Sequence, residues 1–509
     1  DITAFLPKIP RKKNGKRIAL IGAGPASMTV ARDLLPLGYE VVLYERDAKA
    51  GGMMRSQIPA FRLPETVLDE ELNYIINMGL ECHFGEEITS LDKLLQANFD
   101  AIFVGTGAPN GRWLKIPGHD QLTSQLTHPQ IDTGINWLAK VSFKHLHYDD
   151  ENPAPKKVVV LGGGNTAMDC CRTAKRLGAE EVTVLVRSSF ETMKASPWEK
   201  EDAAAEGISI LPNYNPLEYK ILNGKLVGVL FEQVASVYDK IGNRRLQPTG
   251  ETLLVECDQV LVAVGQDTAF DWIERDIGIK FNQWDSPKVS SKSLQSSLPN
   301  VFFGGDAAFG PKNIISAVAN GHQAAISIDL FCQNADPIDD RSDTSFNLIS
   351  QKMGIHDWSY QSGIDHQVRN LVPHLSWDEA VKSLVSEVEL GFDEKLALAE
   401  ASRCLNCDVH TVFTESTCIE CSACEDICPM DCINFVEEAN DDSQIVKQFH
   451  VSELNSEQSL LVSAPLKTGH IMIKDEDVCL HCGLCAERCP TGAWDMKKLM
   501  INNINATIK

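Results

Sequence analysis

Residues 17–53 read RIALIGAGPASMTVARDLLPLGYEVVLYERDAKAGGM, and the rest of the chain is read outward from them. An apolar run at 18–21 meets Gly22 and Gly24; a helix-like segment follows, then a second apolar run ending at Glu45. The order predicts a strand, a tight turn, a helix and a strand. Gly22 allows the turn and Gly24 lets a pyrophosphate approach the backbone. The helix start at Pro25, Ala26 and Ser27 offers unpaired N–H groups at a positive dipole end. Ser27 stands at the third glycine position, where a small side chain still permits close helix-to-sheet packing. Glu45, about 20 residues beyond the turn, suits the two hydroxyls of a ribose, and Arg46 lies beside it. A glycine fingerprint alone is weak evidence; strand, turn, helix and acid in the required order predict a dinucleotide site.

At 509 residues the chain is too long for one core and predicts about three domains. Its 43% hydrophobic content is that of an ordinary soluble protein. With 47 basic against 70 acidic residues, the net charge of -23 argues against a nucleic-acid partner, since phosphate backbones need clustered Lys and Arg. No apolar run is long enough to span a bilayer, and the first residues lack the apolar centre of a signal peptide. Most of the sixteen cysteines crowd into residues 404–489. Short fixed spacing in a large chain points to metal ligation in a reducing, cytoplasmic setting rather than to a disulfide scaffold.

After Glu45, residues 50–64 read AGGMMRSQIPAFRLP. Gly51 and Gly52, with Met53, leave room for adenosine or diphosphate, and Arg62 is a candidate donor to phosphate or flavin oxygens; the alternative is a salt-bridging arginine in a surface loop. A helix over 64–78 and a strand near 82–84 follow. Residues 99–108, FDAIFVGTGA, predict a buried strand ending in a turn at Thr106 and Gly107, of the kind that closes a flavin-binding sheet. Residues 109–156 read as a polar connection.

A second nucleotide module opens at 156–189, KKVVVLGGGNTAMDCCRTAKRLGAEEVTVLVRSS. Gly162, Gly164 and Ala167 form its turn, with Asn165 and Thr166 between them. Its second strand ends in Arg187 where the first module has an acid. An acid there accepts from a free ribose, whereas an arginine accommodates a 2′-phosphate. Arg187, Ser188 and Lys194 therefore tilt the reading toward NADP, with NAD open because an arginine can also stack on adenine. Residues 211–255 predict a meander of short strands. Residues 257–270 repeat the strand-plus-glycine pattern and end it at Gly265, so the internal repetition supports two linked dinucleotide sites. At 300–325 a strand runs into Gly305 and Asp306, which is placed to accept from ribityl hydroxyls. The N–H groups at Asn313, Ile314 and Ile315 would then start a helix pointing at the cofactor. This segment returns the chain to the first sheet and nests the second module within the flavin domain.

The most specific signal lies near the end of the sequence. Cys418, Cys421, Cys424 and Cys428 precede Pro429, and Cys479, Cys482, Cys485 and Cys489 precede Pro490. Both are C-x2-C-x2-C-x3-C-P runs, in which three thiolates bind one cubane and the fourth crosses to the other. This assigns Cys418, Cys421, Cys424 and Cys489 to one [4Fe–4S] cluster, and Cys479, Cys482, Cys485 and Cys428 to the second. Zinc is the alternative, but eight thiolates in two such runs exceed what one zinc uses. Cys404 and Cys407 form a further CxxC without a quartet, read as an orphan or thiol–disulfide pair. Cys432 stays unassigned, and Cys170 and Cys171 read as core residues.

Through GAGPAS, GGMM, IPAFRLP, GTGAPN, GGGNTAMD and the terminal GGD, residues 17–325 resemble the small subunit of glutamate synthase and the flavin half of dihydropyrimidine dehydrogenase. The tail resembles bacterial two-cluster ferredoxins. The resemblance implies FAD along Gly22 to Ser27, Glu45, Gly52, Arg62, Gly305 and Asp306. It implies a nicotinamide nucleotide along Gly164 to Ala167, Arg187, Lys194 and Gly265. Residues 1–16 hold no cysteine, where both relatives usually carry a cysteine-rich leader, and the cysteine runs come after residue 403 instead. The arrangement is more similar to the nucleotide-linked subunit of 2-oxoacid:acceptor oxidoreductases.

The expected fold class is α/β: two nested doubly wound dinucleotide-binding domains, for FAD and NAD(P), with a C-terminal α+β two-cluster ferredoxin-like domain. The expected boundaries are a leader at 1–16, the FAD domain at 17–155 and 271–331, and the NAD(P) domain at 156–270. A linker with a helical segment at 377–401 fills 332–403, and the cluster domain fills 404–509. The expected function is electron transfer between NAD(P)(H), FAD and two [4Fe–4S] clusters, to or from a ferredoxin or a partner subunit. No protein acid, base or nucleophile is required, because the cofactors carry the chemistry. Its competitors are an NAD(P)H:ferredoxin oxidoreductase, a glutamate-synthase-type small subunit, and an assembly subunit whose cofactors are structural.

Overall fold

In the computed structural model the described residues are 7–122, 130–146, 148, 153–238, 244–341, 345–350, 368–403, 409–437 and 460–502. Cys404 and Cys407 lie outside them. The chain divides into two compact units, one built from residues up to Ser342 with His374–Leu390, the other from Gly391–Ile504 with the strand Ser345–Ser350.

In the first unit, Arg17–Ile21 is the middle strand of a five-stranded parallel sheet, ordered 301–303, 101–104, 17–21, 40–45, 81–84. The strand is apolar throughout because both faces are covered. Ile18 and Leu20 point into a cluster with Val30, Leu34 and Ile328, while Ala19 and Ile21 point into another with Val104 and Phe303. Gly24 caps the helix Pro25–Leu34, whose proline at the first position loses no intrahelical bond, and Gly38 at φ 87° lets the chain turn back toward Glu40. Helix Glu65–Ile76 and strand Glu81–Phe84 fall where the sequence predicts them.

A second five-stranded parallel sheet repeats the plan, ordered 131–133, 259–262, 157–161, 181–186, 209–212. Val158 and Val160 face one core, Val159 and Leu161 another. The chain then returns, and Val301–Phe303 pairs with Ala101–Val104, so the second domain is nested in the first as the sequence predicts.

Four expectations are corrected. Residues 109–156 are not only a connection: Ile131–Thr133 is the edge strand of the second sheet, followed by the helix Gly134–Ser142, so that domain starts before 156. The strand is short and carries a buried Asp132, matched by Lys140 Nζ (2.7 Å) and Asn136 Nδ2 (2.8 Å), which breaks the apolar pattern that would reveal it. Strand Ala101–Val104 does not close its sheet but lies between 17–21 and the edge strand 301–303. The meander has long strands, of 9, 14 and 13 residues, because pairing along one antiparallel ribbon outlasts the apolar runs.

The fourth correction concerns 332–403. Its predicted helix is two short ones, Trp377–Ala380 and Glu394–Ala401, the second capped by Asp393. Ala380, ending the first, and Val388, between the two, pack on Phe61, tying 374–390 to the first unit, while Ser345–Ser350 pairs with Trp494–Asn502 in the second. These apolar residues serve a crossing strap rather than one helical face.

The second unit has two three-stranded sheets, 345–350 with 494–502 and 409–413, and 433–437 with 470–475 and 460–462. Two short helices, Ala423–Ile427 and Leu484–Arg488, follow the first two cysteines of each run and carry the third. Among the described residues no helix is long and apolar enough to cross a membrane.

Candidate functional site: a two-nucleotide cavity and two cysteine sets

Both glycine turns open into one cavity of ≈ 1580 Å³. A typical ligand site holds roughly 300–1,000 Å³, so the space suits two nucleotides rather than one small molecule. All the predicted nucleotide-binding residues line it except Ser27, Gly51 and Ala167. Those three act from behind: Ser27 and Ala167 are fully buried under the turns, and Gly51 N–H donates to the Ala23 carbonyl (2.9 Å), holding the next loop in place.

The glycines divide the work in the same way in each module. Gly22 has φ +86°, and a Cβ there would lie 2.8 Å from the Gly105 carbonyl oxygen; Gly162 has φ +143°, and its Cβ would lie 2.2 Å from the Ala263 oxygen. Neither can be another residue, because the neighbouring strand end is packed against it. Gly164 has nothing within 4 Å of a Cβ, and Gly24 only the Gly105 oxygen at 3.9 Å. The free space at these helix starts is what a pyrophosphate would occupy.

Glu45 is placed at the strand end but is already engaged. Its carboxylate accepts from Ala23 N–H (2.6 Å) and Asp47 N–H (2.9 Å), while burial pushes its pKa up against those bonds. On the far side Gly305 has φ +61° and donates to Asn320 Oδ1 (3.1 Å). Asp306 accepts from Lys312 N–H (3.0 Å) and is raised by burial, and Asn313 caps the helix Ile314–Cys332. Thr106 Oγ1 is buried with no partner among the described residues, on the cavity wall. A polar ligand here would satisfy it.

Arg62 reaches the cavity yet spends its guanidinium on Asp169 (2.7 Å) and Glu199 (2.5 Å), the salt-bridging alternative. Asp169 is the site residue the sequence reading missed; burial pushes it up to about 6 against the pull of Arg62. Its one signal is an acid inside the apolar run AMDCC. On the side of the second module Arg187, Ser188 and Lys194 line the cavity together, and Asn165 Oδ1 accepts from Ser196 N–H (2.8 Å). Cys170 and Cys171 are fully buried core thiols, raised by that burial.

In the second unit the two cysteine runs adopt one backbone. Glu420 (φ 54°) and Ser422 (φ 54°) in the first correspond to His481 (φ 51°) and Gly483 (φ 78°) in the second. These left-handed residues turn N–H groups onto sulfur: Glu420 N–H to Cys418 Sγ (3.3 Å) and His481 N–H to Cys479 Sγ (3.4 Å). Such donors stabilise anionic sulfur. Cys428 is brought to Cys479, Cys482 and Cys485 on one small cavity, and Cys489 to Cys418 and Cys421, with Cys424 beside Cys418.

Cys432 joins the set around Cys428, its Sγ 3.3 Å from that of Cys428. A hydrogen bond from Cys432 pulls Cys428 down to about 6 and Cys479 down to about 5, with the Lys474 ammonium also acting on Cys479, while Cys432 itself is raised. Among the described residues every cysteine is a free thiol. Two preformed groups of four converging thiols, with Cys428, Cys479 and Cys489 drawn toward thiolate, fit metal–sulfur ligation.

Residues 16–324 match the pyridine nucleotide-disulphide oxidoreductase family, and residues 417–493 match the 4Fe-4S dicluster domain. The chain belongs to the pyridine nucleotide-disulphide oxidoreductase family. Among this family it is 31% identical over 438 residues to the NADPH-Fe(3+) oxidoreductase subunit beta of Geobacter sulfurreducens, covering 79% of this chain and 62% of that one. It is 33% identical over 409 residues to the NADP(+)-dependent formate dehydrogenase subunit beta of Moorella thermoacetica, covering 77% of this chain and 55% of that one. The chain thus spans about three-fifths of the length of these relatives. The glutamate synthase [NADPH] small chain of Escherichia coli is 31% identical over 335 residues, or 62% of this chain and 69% of that one. A solved structure of Mycobacterium tuberculosis FprA in complex with NADPH shares the fold, with a TM-score of 0.52 at 17% identity over 63% of this chain and 85% of that one.

Proposed function

We propose that this chain is the NADPH-linked electron-transfer subunit of a larger redox enzyme, holding FAD and two [4Fe–4S] clusters. The observation that carries the reading is the single cavity onto which both glycine turns open. FAD bound there supplies the exchange between a two-electron hydride and single electrons, and clusters on the two cysteine sets supply one-electron carriers.

The chain's own residues bind and orient. The helix starts behind Gly24 and Gly164 present N–H groups to two pyrophosphates, and Asp306 accepts from sugar hydroxyls. Thr106 Oγ1 offers its unused hydrogen bond to the FAD. Arg187 and Lys194 meet the 2′-phosphate of NADPH, which favours NADP over NAD. Cys418, Cys421, Cys424 and Cys489 hold one cluster, and Cys428, Cys479, Cys482 and Cys485 the other. The names of the Geobacter and Moorella relatives support a multisubunit setting. A 2-oxoacid:acceptor oxidoreductase remains our reading of the partner, on the order of the modules in the sequence.

The test is anaerobic isolation with assay of flavin, iron and acid-labile sulfide, followed by rapid mixing with NADPH or NADH. The expected result is both cofactors in the same chain and flavin bleaching that is faster with NADPH. A chain without flavin and sulfide, or one that neither nucleotide reduces, overturns the proposal.

A further inference from the structure

The two cysteine runs match in backbone but differ in the residue that stands against the thiols from the preceding strand. Five residues before the first cysteine, one run has Phe413 and the other has Lys474. Phe413 packs with Cys418 and Cys489, its ring 4.9 Å from that of Trp494. Lys474 is 0% exposed and lines the cavity shared by Cys428, Cys479, Cys482 and Cys485. A lysine is almost never fully buried without a partner. Here the Nζ donates to Thr411 Oγ1 and to Glu476 Oε2 (2.8 Å), and stands 6.0 Å from the centre of the Trp494 ring. Those acceptors and that ring suit an ammonium rather than a neutral amine. Asp475 is buried as well, but strand alternation turns it to the other face, where its carboxylate accepts from Asp477 N–H (2.9 Å).

We infer that Lys474 is a positioning residue that sets the two clusters apart in potential, making the one held by Cys428, Cys479, Cys482 and Cys485 the easier to reduce. The inference rests on the iron–sulfur reading above. When one electron arrives from the flavin, the site becomes one charge more negative, with no bond made or broken. A buried ammonium opposes that added charge, and the phenyl ring at the equivalent place in the other run does not. The Glu476 carboxylate lies within 4.8 Å of Cys479 Sγ and opposes the lysine, but its side chain is 32% exposed, so water screens it where the buried ammonium is not screened. Electrons therefore collect at the Lys474 set, and the Phe413 set is the lower-potential of the pair.

The experiment is a redox titration followed by electron paramagnetic resonance on the anaerobically isolated full chain. Iron and sulfide are assayed first; their absence overturns the iron–sulfur reading and this inference with it. With both clusters present, Lys474→Met is expected to lower one midpoint by at least roughly tenfold in the reduction equilibrium, about 59 mV for one electron, and to leave the other in place. Lys474→Arg keeps the charge and the wild-type midpoint. Cys482→Ser changes the spectrum of the same cluster and so identifies it. Glu476→Gln removes the opposing charge and is expected to raise that midpoint, which carries the test if Lys474→Met loses iron. Full iron content with unmoved midpoints, or a shift confined to the cluster of Cys418, overturns the inference while leaving the iron–sulfur reading intact.

Discussion

Arg187 directly follows the second strand of the nested module, much as Glu45 ends that of the first, and both line the cavity. Replacing Arg187 by alanine is expected to raise the KM for NADPH by on the order of 10–100-fold, the worth of a hydrogen bond to a charged group at ~1.5–3 kcal/mol. Activity with NADH should be unchanged, and steady-state rates with the two nucleotides check the split. Asp169 makes a prediction about pH. Its carboxyl is pushed up to about 6 by burial, above the ~3.9 of an unfolded aspartate. Between those values the folded chain binds a proton that the unfolded chain releases. The stability this group contributes is therefore complete below about pH 4 and is lost as pH rises through about 6. Asp169→Asn should gain melting temperature relative to the wild type as pH rises across that window. A difference that is flat or of the opposite slope would refute the assignment. Glu45 shows where residue-level reading stops: its position was legible, but not that two backbone N–H groups already hold its carboxylate.

The strap His374–Leu390 shows what elements add. Val388 N–H donates to the Phe61 carbonyl (3.1 Å), and Phe61 is enclosed by Ala380 and Val388 on one side and by the Arg176 guanidinium, 3.8 Å from its ring centre, on the other. Arg172 and Arg176 meet Glu206 in turn, and Arg172 also meets Glu199, which pairs with Arg62. One aromatic ring thus supports the strap and a buried charge network. Phe61→Ala is expected to cost about 3–5 kcal/mol and to make the strap the first site of limited proteolysis. A variant that melts like the wild type and resists protease would show that the strap stands without it. None of this was legible in the sequence, because strap and ring are more than 300 positions apart and neither carries a period. The parallel strands were legible, since burial on both faces leaves continuous apolar runs. Ile131–Thr133 was not, since a three-residue edge strand with Asp132 at its centre leaves no run to find.

At the scale of the whole molecule, every residue lining the nucleotide cavity belongs to the first unit and all eight cysteines of the two runs belong to the second. The nesting of the two nucleotide domains was legible because the same strand-and-glycine pattern recurs around an interruption, and the cysteine runs because metal ligation fixes spacing more strictly than packing does. This separation allows the two halves of the reaction to be uncoupled. Cys424 is buried in the second unit, close to Cys418, and takes no part in the cavity walls. Cys424→Ala removes one thiolate of the set with Cys418, Cys421 and Cys489, and the remaining three cannot complete four-thiolate ligation. Reduction of the flavin by NADPH should keep its wild-type rate, because everything that orients both nucleotides is untouched. Electron delivery to a one-electron acceptor that the clusters serve should fall at least tenfold, and the iron content should drop by the share of one cluster. Rapid mixing and iron assay on the same preparation read both quantities. Slowed flavin reduction at full flavin content would mean that the cysteine set takes part in the hydride step, and the division of labour between the two units would have to be given up.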